Sequence, residues 1–412
     1  MSVSKKINIP IVASLLAIPI PLFSYGDTGL PLSIIVSICG FLLVPFYGKD
    51  KVTVTYMLAI LLATFGAVFN SIFILGDLKY NSIVSVLFFF LPAASFFLGF
   101  RIISTEEDFR VFIRSYVWVF LAWFFYYFLS IVFLHNGIVR DAGTMNGSIL
   151  GIEVYGAYGV HSFIAFLIVS FFFIQQSYNE YKDINSVVYY SFILCWSFVI
   201  ILSLSREAIV SLLFIASLYA KDQLTNVKNI PILNRYFISI VMLFIAFMSY
   251  DLVMQSWGTR LDQSSAAIDS ADLNDLSSGR GTLVLLAIEQ FFRNPFFGTG
   301  FAGYTLYGER IPGYEDLSGW STHYYILTAL WKMGSIPFVF YVNFWFQALS
   351  YRKNKYALTK RSVYFNRSLI ITWLILNQFW DALMVPNVMG VIMFIAGGYY
   401  GISNSNKKQS SE

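Results

Sequence analysis

The sequence predicts an all-α fold: a polytopic integral membrane protein with about 12 transmembrane helices and one large outer loop containing a short helix. Three observations carry that expectation. The 412 residues are 57% hydrophobic and 12% charged, with a mean hydropathy of +0.66, whereas soluble domains are roughly a quarter charged. Apolar stretches of roughly 17–25 residues, the length that crosses a bilayer as helix, recur from end to end. The basic residues also divide unevenly between alternate connections. The chain therefore reads as a single helical membrane domain over 1–412, not as a string of soluble domains.

Lys5-Lys6 precedes the first apolar run. That run continues through Pro19-Ile20-Pro21-Leu22-Phe23 without a small-residue cleavage pattern, so it reads as a first span, 9–25, and not as a signal peptide. The next spans are expected at 30–47, 52–75, 82–103, 115–134, 157–176 and 187–204. The later ones fall at 208–220, 236–254, 324–349, 369–383 and 388–402. The seventh and eighth are almost continuous and part only at Arg206, a turn on which the sidedness of every later loop depends.

Charge checks this arrangement. With the N-terminus inside, the cytoplasmic side receives nineteen Lys and Arg and the outer side eight, which accounts for all 27. Both termini are then cytoplasmic. Cys39 and Cys195 lie within apolar spans and suggest neither a disulfide framework nor a metal motif.

Two outer loops exceed what a connection needs, 135–155 and 255–322. In the second, between the ninth and tenth spans, Thr282-Leu283-Val284-Leu285-Leu286-Ala287-Ile288-Glu289-Gln290-Phe291-Phe292 reads as a short helix lying on the membrane. Asn294-Pro295 stops it, and Gly298-Thr299-Gly300-Phe301-Ala302-Gly303 makes a flexible turn.

A few polar residues stand out against this background. Arg206, between Ser205 and Glu207 and two apolar spans, is a functional candidate by position; an interfacial arginine that snorkels or pairs with Glu207 accounts for it equally well. Arg280 precedes the loop helix, where free N–H groups and the positive dipole end suit an anion. A solvated pair with Asp272 or Asp275 is its bland alternative. The loop is net acidic, which excludes a general polyanion groove and hence nucleic acid, so single arginines must do any phosphate binding. His161 lies within an apolar span and His135 at a helix end, both suited to packing or interfacial roles. His323 borders the large loop and begins a helix, where a near-neutral pKa suits a general base. Arg140 is a further candidate, with Asp141 beside it as a local salt-bridge partner. There is no Walker motif, no His/Cys cluster and no Asp-rich motif, so neither a metal nor another cofactor is expected.

The order of four short motifs resembles the O-antigen polymerase and O-antigen ligase superfamily of bacterial envelope glycan transferases. They are Leu202-Ser203-Leu204-Ser205-Arg206-Glu207-Ala208, Ser278-Gly279-Arg280-Gly281-Thr282-Leu283, Arg293-Asn294-Pro295-Phe296-Phe297-Gly298-Thr299-Gly300, and Thr322-His323-Tyr324-Tyr325-Ile326-Leu327 followed by Gly334. The resemblance implies that Arg206 and Arg280 hold an undecaprenyl diphosphate and that His323 activates an acceptor hydroxyl, with Arg140 as a secondary substrate contact. The family often has Asn directly after this His, whereas Tyr324 follows here. It implies a metal-independent glycosyltransferase of the inner membrane, with 255–322 periplasmic. Its partners would be an undecaprenyl-diphosphate-linked oligosaccharide, membrane lipid and a chain-length regulator. Polymerase is preferred over ligase on that Tyr and on the Phe/Tyr/Ile-rich composition. A transporter is disfavoured because no doubled halves or paired broken helices are visible.

Overall fold

Proline and glycine, more than hydropathy, decide where the helices of this chain begin and end. The computed structural model describes residues 3–19, 21–25, 28–48, 50–73, 86–87, 89–134, 147–149, 152–154, 159–202, 280–300, 324–349 and 386–409. α1 (Val3–Ala17) stops two residues short of Pro19. A short antiparallel hairpin follows, β1 (Pro21–Tyr25) paired with β2 (Thr28–Pro31). α2 (Ser33–Leu43) passes at Pro45 into a 3-10 turn, Val44–Tyr47, before the long α3 (Lys51–Phe73). A second 3-10 turn, Leu91–Ala94, carries Pro92 and leads into α4 (Ser95–Ile102). Proline lacks an N–H and has a fixed φ, so it fits a first turn and interrupts an interior.

α5 (Glu106–Leu134) starts earlier than its apolar stretch because its polar beginning is capped. The Asp108 N–H donates to Thr105 Oγ1 at 3.1 Å, while Asp108 Oδ2 accepts from the backbone N–H groups of Ser104 and Thr105. This reciprocal capping satisfies donors that a helix start leaves open. A second small hairpin, β3 (Gly147–Ile149) with β4 (Ile152–Val154), precedes α6 (Gly159–Gln176). One π turn, Ser177–Tyr181, ends at Lys182 in the left-handed region, and α7 (Ser186–Leu202) follows. The remaining described helices are α8 (Arg280–Arg293), α9 (Tyr325–Met333), α10 (Ser335–Leu349) and α11 (Pro386–Gln409).

α11 runs through the centre and packs on α1, α2, α4, α6 and α10. Its closest neighbour is α4. A Cβ on Gly99 would overlap the Phe394 carbonyl, and one on Gly397 the Phe96 carbonyl, so small residues let the two backbones meet. Aromatic rings fill the space around them. Tyr56 donates to the Phe90 carbonyl at 2.9 Å and packs on Phe97 and Phe344.

The expectation of about 12 spanning helices is overturned. Among the described residues two stretches, Lys51–Asn70 and Glu106–Leu129, are helical, long and apolar enough to cross a membrane. Apolar length is not helical length. The run 9–25 turns into β1, 30–47 is helical only over 33–47 and tightens into a 3-10 turn at Pro45, 82–103 does likewise at Pro92, and 324–349 breaks at Gly334. Shorter apolar helices occupy 33–47, 91–102, 186–200, 335–349 and 388–402. The runs 208–220, 236–254 and 369–383 lie outside the described residues. The described residues are otherwise helical, as the all-α expectation has it, apart from two short hairpins.

One end of the molecule gathers basic residues. Tyr400 of α11 donates to Asp50, next to Lys51, at 3.1 Å. The Phe100 ring, beside Arg101, contacts Tyr400, and the Phe109 ring, beside Arg110, contacts Tyr399. Arg110 bonds Asp183 at 3.2 Å and the Tyr181 carbonyl at 3.3 Å. The start of α3, the end of α4 and the start of α5 therefore share a level.

Candidate functional site

At the opposite end of α3, two helices are tied together by main chain. α8 ends at Arg293 and leads into a turn over 294–300, closed by the Gly298 N–H donating to the Asn294 carbonyl at 2.9 Å. The Thr299 N–H then donates to the Trp331 carbonyl at 3.0 Å, and the Gly300 N–H to the Lys332 carbonyl at 2.9 Å. In return, the Ser335 N–H reaches the Pro295 carbonyl at 2.8 Å and the Ile336 N–H the Phe296 carbonyl at 3.2 Å. Asn70 fastens this clasp to α3, its Nδ2 donating to the Gly298 carbonyl at 2.6 Å.

Two glycines make the clasp possible. Gly298 has φ of 67° and Gly334 φ of 75°, in the left-handed region that side chains resist. A Cβ on Gly298 would overlap the Lys332 carbonyl, and one on Gly334 the Gly298 nitrogen.

The clasp sets the direction of both helices. α8 and α9 each enter it with their C-terminal end, and between them Leu283, Leu286, Ala287 and Trp331 form one buried cluster with Phe291 and Leu327 against it. The two helices therefore run in the same sense, and their N-terminal ends point the same way. Arg280 is the first residue of α8, although its side chain lies outside the described residues. α9 starts at Tyr325, and Tyr324, the residue after His323, is its extended N-cap.

At Gly334 the chain doubles back. Tyr325 and Tyr341 share a hydroxyl–hydroxyl hydrogen bond of 2.5 Å across 16 residues, a distance over which an unbroken helix would rise about 24 Å. α9 and α10 thus form a helical hairpin, where one span over 324–349 was expected. The Phe89 ring stacks on Tyr325, with centroids 5.5 Å apart, so α9 begins within the aromatic core.

Arg206, His323 and Arg140 lie outside the described residues, as do His135 and most of the loop 255–322; within that loop 280–300 is described. The helix read from 282–292 coincides with α8, and Asn294-Pro295 ends it. One face of α8 is buried in the cluster, while Leu285, Ile288 and Phe292 are exposed on the other beside the Glu289–Arg293 ion pair. Lys332 was not singled out by sequence reasoning. Its side chain is fully buried, and the available signal was a lone lysine inside Leu330-Trp331-Lys332-Met333. Among the described residues, no three His, Cys, Asp or Glu side chains gather as metal ligands would.

Residues 190–342, which include both clasped helices, match the family model described as O-antigen ligase. The match supports the superfamily assignment drawn from the four motifs and a general O-antigen ligase or polymerase type of function, hence an enzymatic role with polysaccharide. Together with the apolar helices it supports a membrane location. No curated protein matches the chain.

Proposed function

We propose that this protein is an O-antigen polymerase that extends a lipid-linked glycan on the periplasmic face of the bacterial inner membrane. The donor is an undecaprenyl-diphosphate-linked oligosaccharide, and the acceptor is a sugar hydroxyl of a lipid-linked repeat unit. The shared direction of α8 and α9 carries the reading. Arg280 opens one helix, and Tyr324, the residue after His323 in the sequence, is the N-cap of the other. Two positive dipole ends beside an arginine suit a diphosphate.

In this reading Arg206 and Arg280 grip the diphosphate through bidentate hydrogen bonds, with Arg140 as a further substrate contact. The bond between the anomeric carbon and the diphosphate oxygen breaks, and the diphosphate leaves with the electron pair. The acceptor oxygen forms the new bond to that carbon, and its proton passes to His323. The arginines stabilise charge as it develops on the leaving group. The reaction balances without a cofactor. A chain-length regulator is the expected protein partner.

Both termini are cytoplasmic and 255–322 is periplasmic. The gathering of Lys51, Arg101 and Arg110 at the end of the molecule away from the clasp supports this sidedness. In a variant lacking Cys39 and Cys195, Ser264→Cys and Ser403→Cys should label from opposite sides; labelling from one side would remove the sidedness. The family description favours a second reading, an O-antigen ligase that passes finished polymer to lipid A core. A null mutant decides between them: surface chains capped with one repeat indicate the polymerase, and unligated polymer the ligase. Arg206→Lys and Arg280→Lys should both impair purified transfer despite keeping charge. Normal polymer from both at normal protein levels would end the diphosphate assignment.

A further inference from the structure

The start of α9 is held from outside the helix. α9 is 9 residues long, and its extended N-cap, Tyr324, makes no side-chain cap bond. A helix start without a cap leaves backbone N–H groups open and frays. The anchor is Tyr325, the first helical residue, 3% exposed. Its hydroxyl meets that of Tyr341 in α10, 1% exposed, at 2.5 Å. Phe89 stacks on the Tyr325 ring and reaches the Tyr341 ring at 5.7 Å, and Phe90 meets Tyr341 edge-on at 4.9 Å. Three parts of the chain thus converge on one hydroxyl pair.

Packing does not require those two oxygens. Phenylalanine at both positions would fill nearly the same space, and apolar burial has no direction. Burying two hydroxyls is costly unless they are hydrogen-bonded, and a hydrogen bond holds only at a defined distance and angle. The pair therefore fixes the register of α9 against α10, which the surrounding Phe rings do not. A catalytic group must be held to within about 0.5 Å by its supporting structure, and His323 directly precedes Tyr324 in the sequence. We propose that Tyr341 is a positioning residue: through its bond to Tyr325 it fixes where α9 begins and so presents His323 to the acceptor. The role of His323 rests on the function proposed above; the hold on α9 does not.

The test uses full-length protein in lipid nanodiscs and lipid-linked repeat units extracted from a null mutant. Misplacing a catalytic group by about 1 Å costs on the order of 100-fold, so Tyr341→Phe and Tyr325→Phe should each lower kcat at least about ten-fold, with KM changed less than about two-fold. Each single variant takes from a buried hydroxyl the one it meets and should lower the thermal midpoint. The double variant removes both oxygens and should recover stability while kcat stays low. Turnover that recovers together with stability, or wild-type kcat in Tyr341→Phe, would overturn the proposal. The control is Tyr116→Phe, which deletes a buried hydroxyl bonded to Ser170 between α5 and α6; an equal loss of kcat there would also overturn it. In His323→Ala, adding Tyr341→Phe should lower turnover no further; a full further loss would detach the pair from the histidine and sink the proposal. Hydrogen exchange reads the hold on α9 without the reaction. The Thr328 N–H donates to the Tyr324 carbonyl at 2.8 Å and closes the first turn. In Tyr341→Phe it should exchange at least about ten-fold faster than in the wild type, and unchanged exchange would overturn the hold. If wild-type protein transfers no glycan, the proposed function falls and the exchange rate alone decides on Tyr341.

Discussion

The two ends of this molecule are held by different kinds of bond. At the basic end, side chains make the connections: the Asp108 cap, the Arg110–Asp183 pair and Tyr400 on Asp50. At the clasp, main chain meets main chain across the 294–300 turn, and the side chains of Asn70 and Phe65 tie it to α3. A side-chain contact depends on the identity of its two residues, so a single truncation removes it. A main-chain clasp is indifferent to most substitutions and fails at positions where only glycine fits. The first end therefore serves stability, graded by contact, whereas the second sets the direction of two helices nearly all or none.

The strongest way to break this contrast is His323→Ala, whose residue precedes the α9 N-cap. Loss of a general base should lower turnover of purified enzyme by about 100-fold to 10,000-fold, with the protein still inserted and still binding donor. His135→Ala and His161→Ala should change yield more than turnover. Near-normal turnover by His323→Ala would leave arginine-assisted departure as the main device. Next is Gly334→Ala. A side chain at this φ of 75° and ψ of 174°, a region essentially reserved for glycine, costs about 1–3 kcal/mol, and here it also meets the Gly298 nitrogen. Transfer per folded molecule should fall at least ten-fold, read against protein quantified by gel filtration; full activity would show that the hairpin does not set the site.

The basic end should behave in the opposite way. Asp108→Ala removes the acceptor for two N–H groups and should cost about 1–2 kcal/mol of stability, seen as a lower thermal midpoint with unchanged turnover per folded molecule. Arg110→Ala should cost a similar amount, about 1–3 kcal/mol, because it leaves the Asp183 carboxylate, 6% exposed, without its cation. A loss of turnover in either variant that exceeds the loss of folded protein would erase the distinction between the ends.

The legible parts of the fold were those in which one local signal decides. The apolar stretch 52–75 lies close to α3 (Lys51–Phe73), and the loop helix was visible because Asn294-Pro295 closes it. α5 was legible in its apolar part but not in its start, since charge at Glu106, Glu107 and Asp108 reads as a loop until the cap with Thr105 is seen. The hairpin at Gly334 was hidden because the residues on both sides are apolar and helical, so hydropathy runs through a reversal that only a backbone angle reveals. At Pro45 and Pro92 hydropathy failed for another reason, because it ignored prolines at which the helix tightens into a 3-10 turn. In the candidate site, Arg280 drew attention as a cation beside a helix start. Lys332 did not, because its burial depends on how α9 packs against elements elsewhere in the chain.

The clasp also bears on how such a protein can vary. Gly300 and Tyr324, the two stems of segment 301–323, are each anchored to the same short helix, one by its bond to the Lys332 carbonyl and the other as its N-cap. The length and sequence between those stems are thereby freed from the task of orienting α9. Doubling the length of such a connection adds only about 0.6 kcal/mol of closure entropy. A foreign stretch of different length grafted between Gly300 and Thr322, with His323 kept, should therefore leave the helix pair where it is.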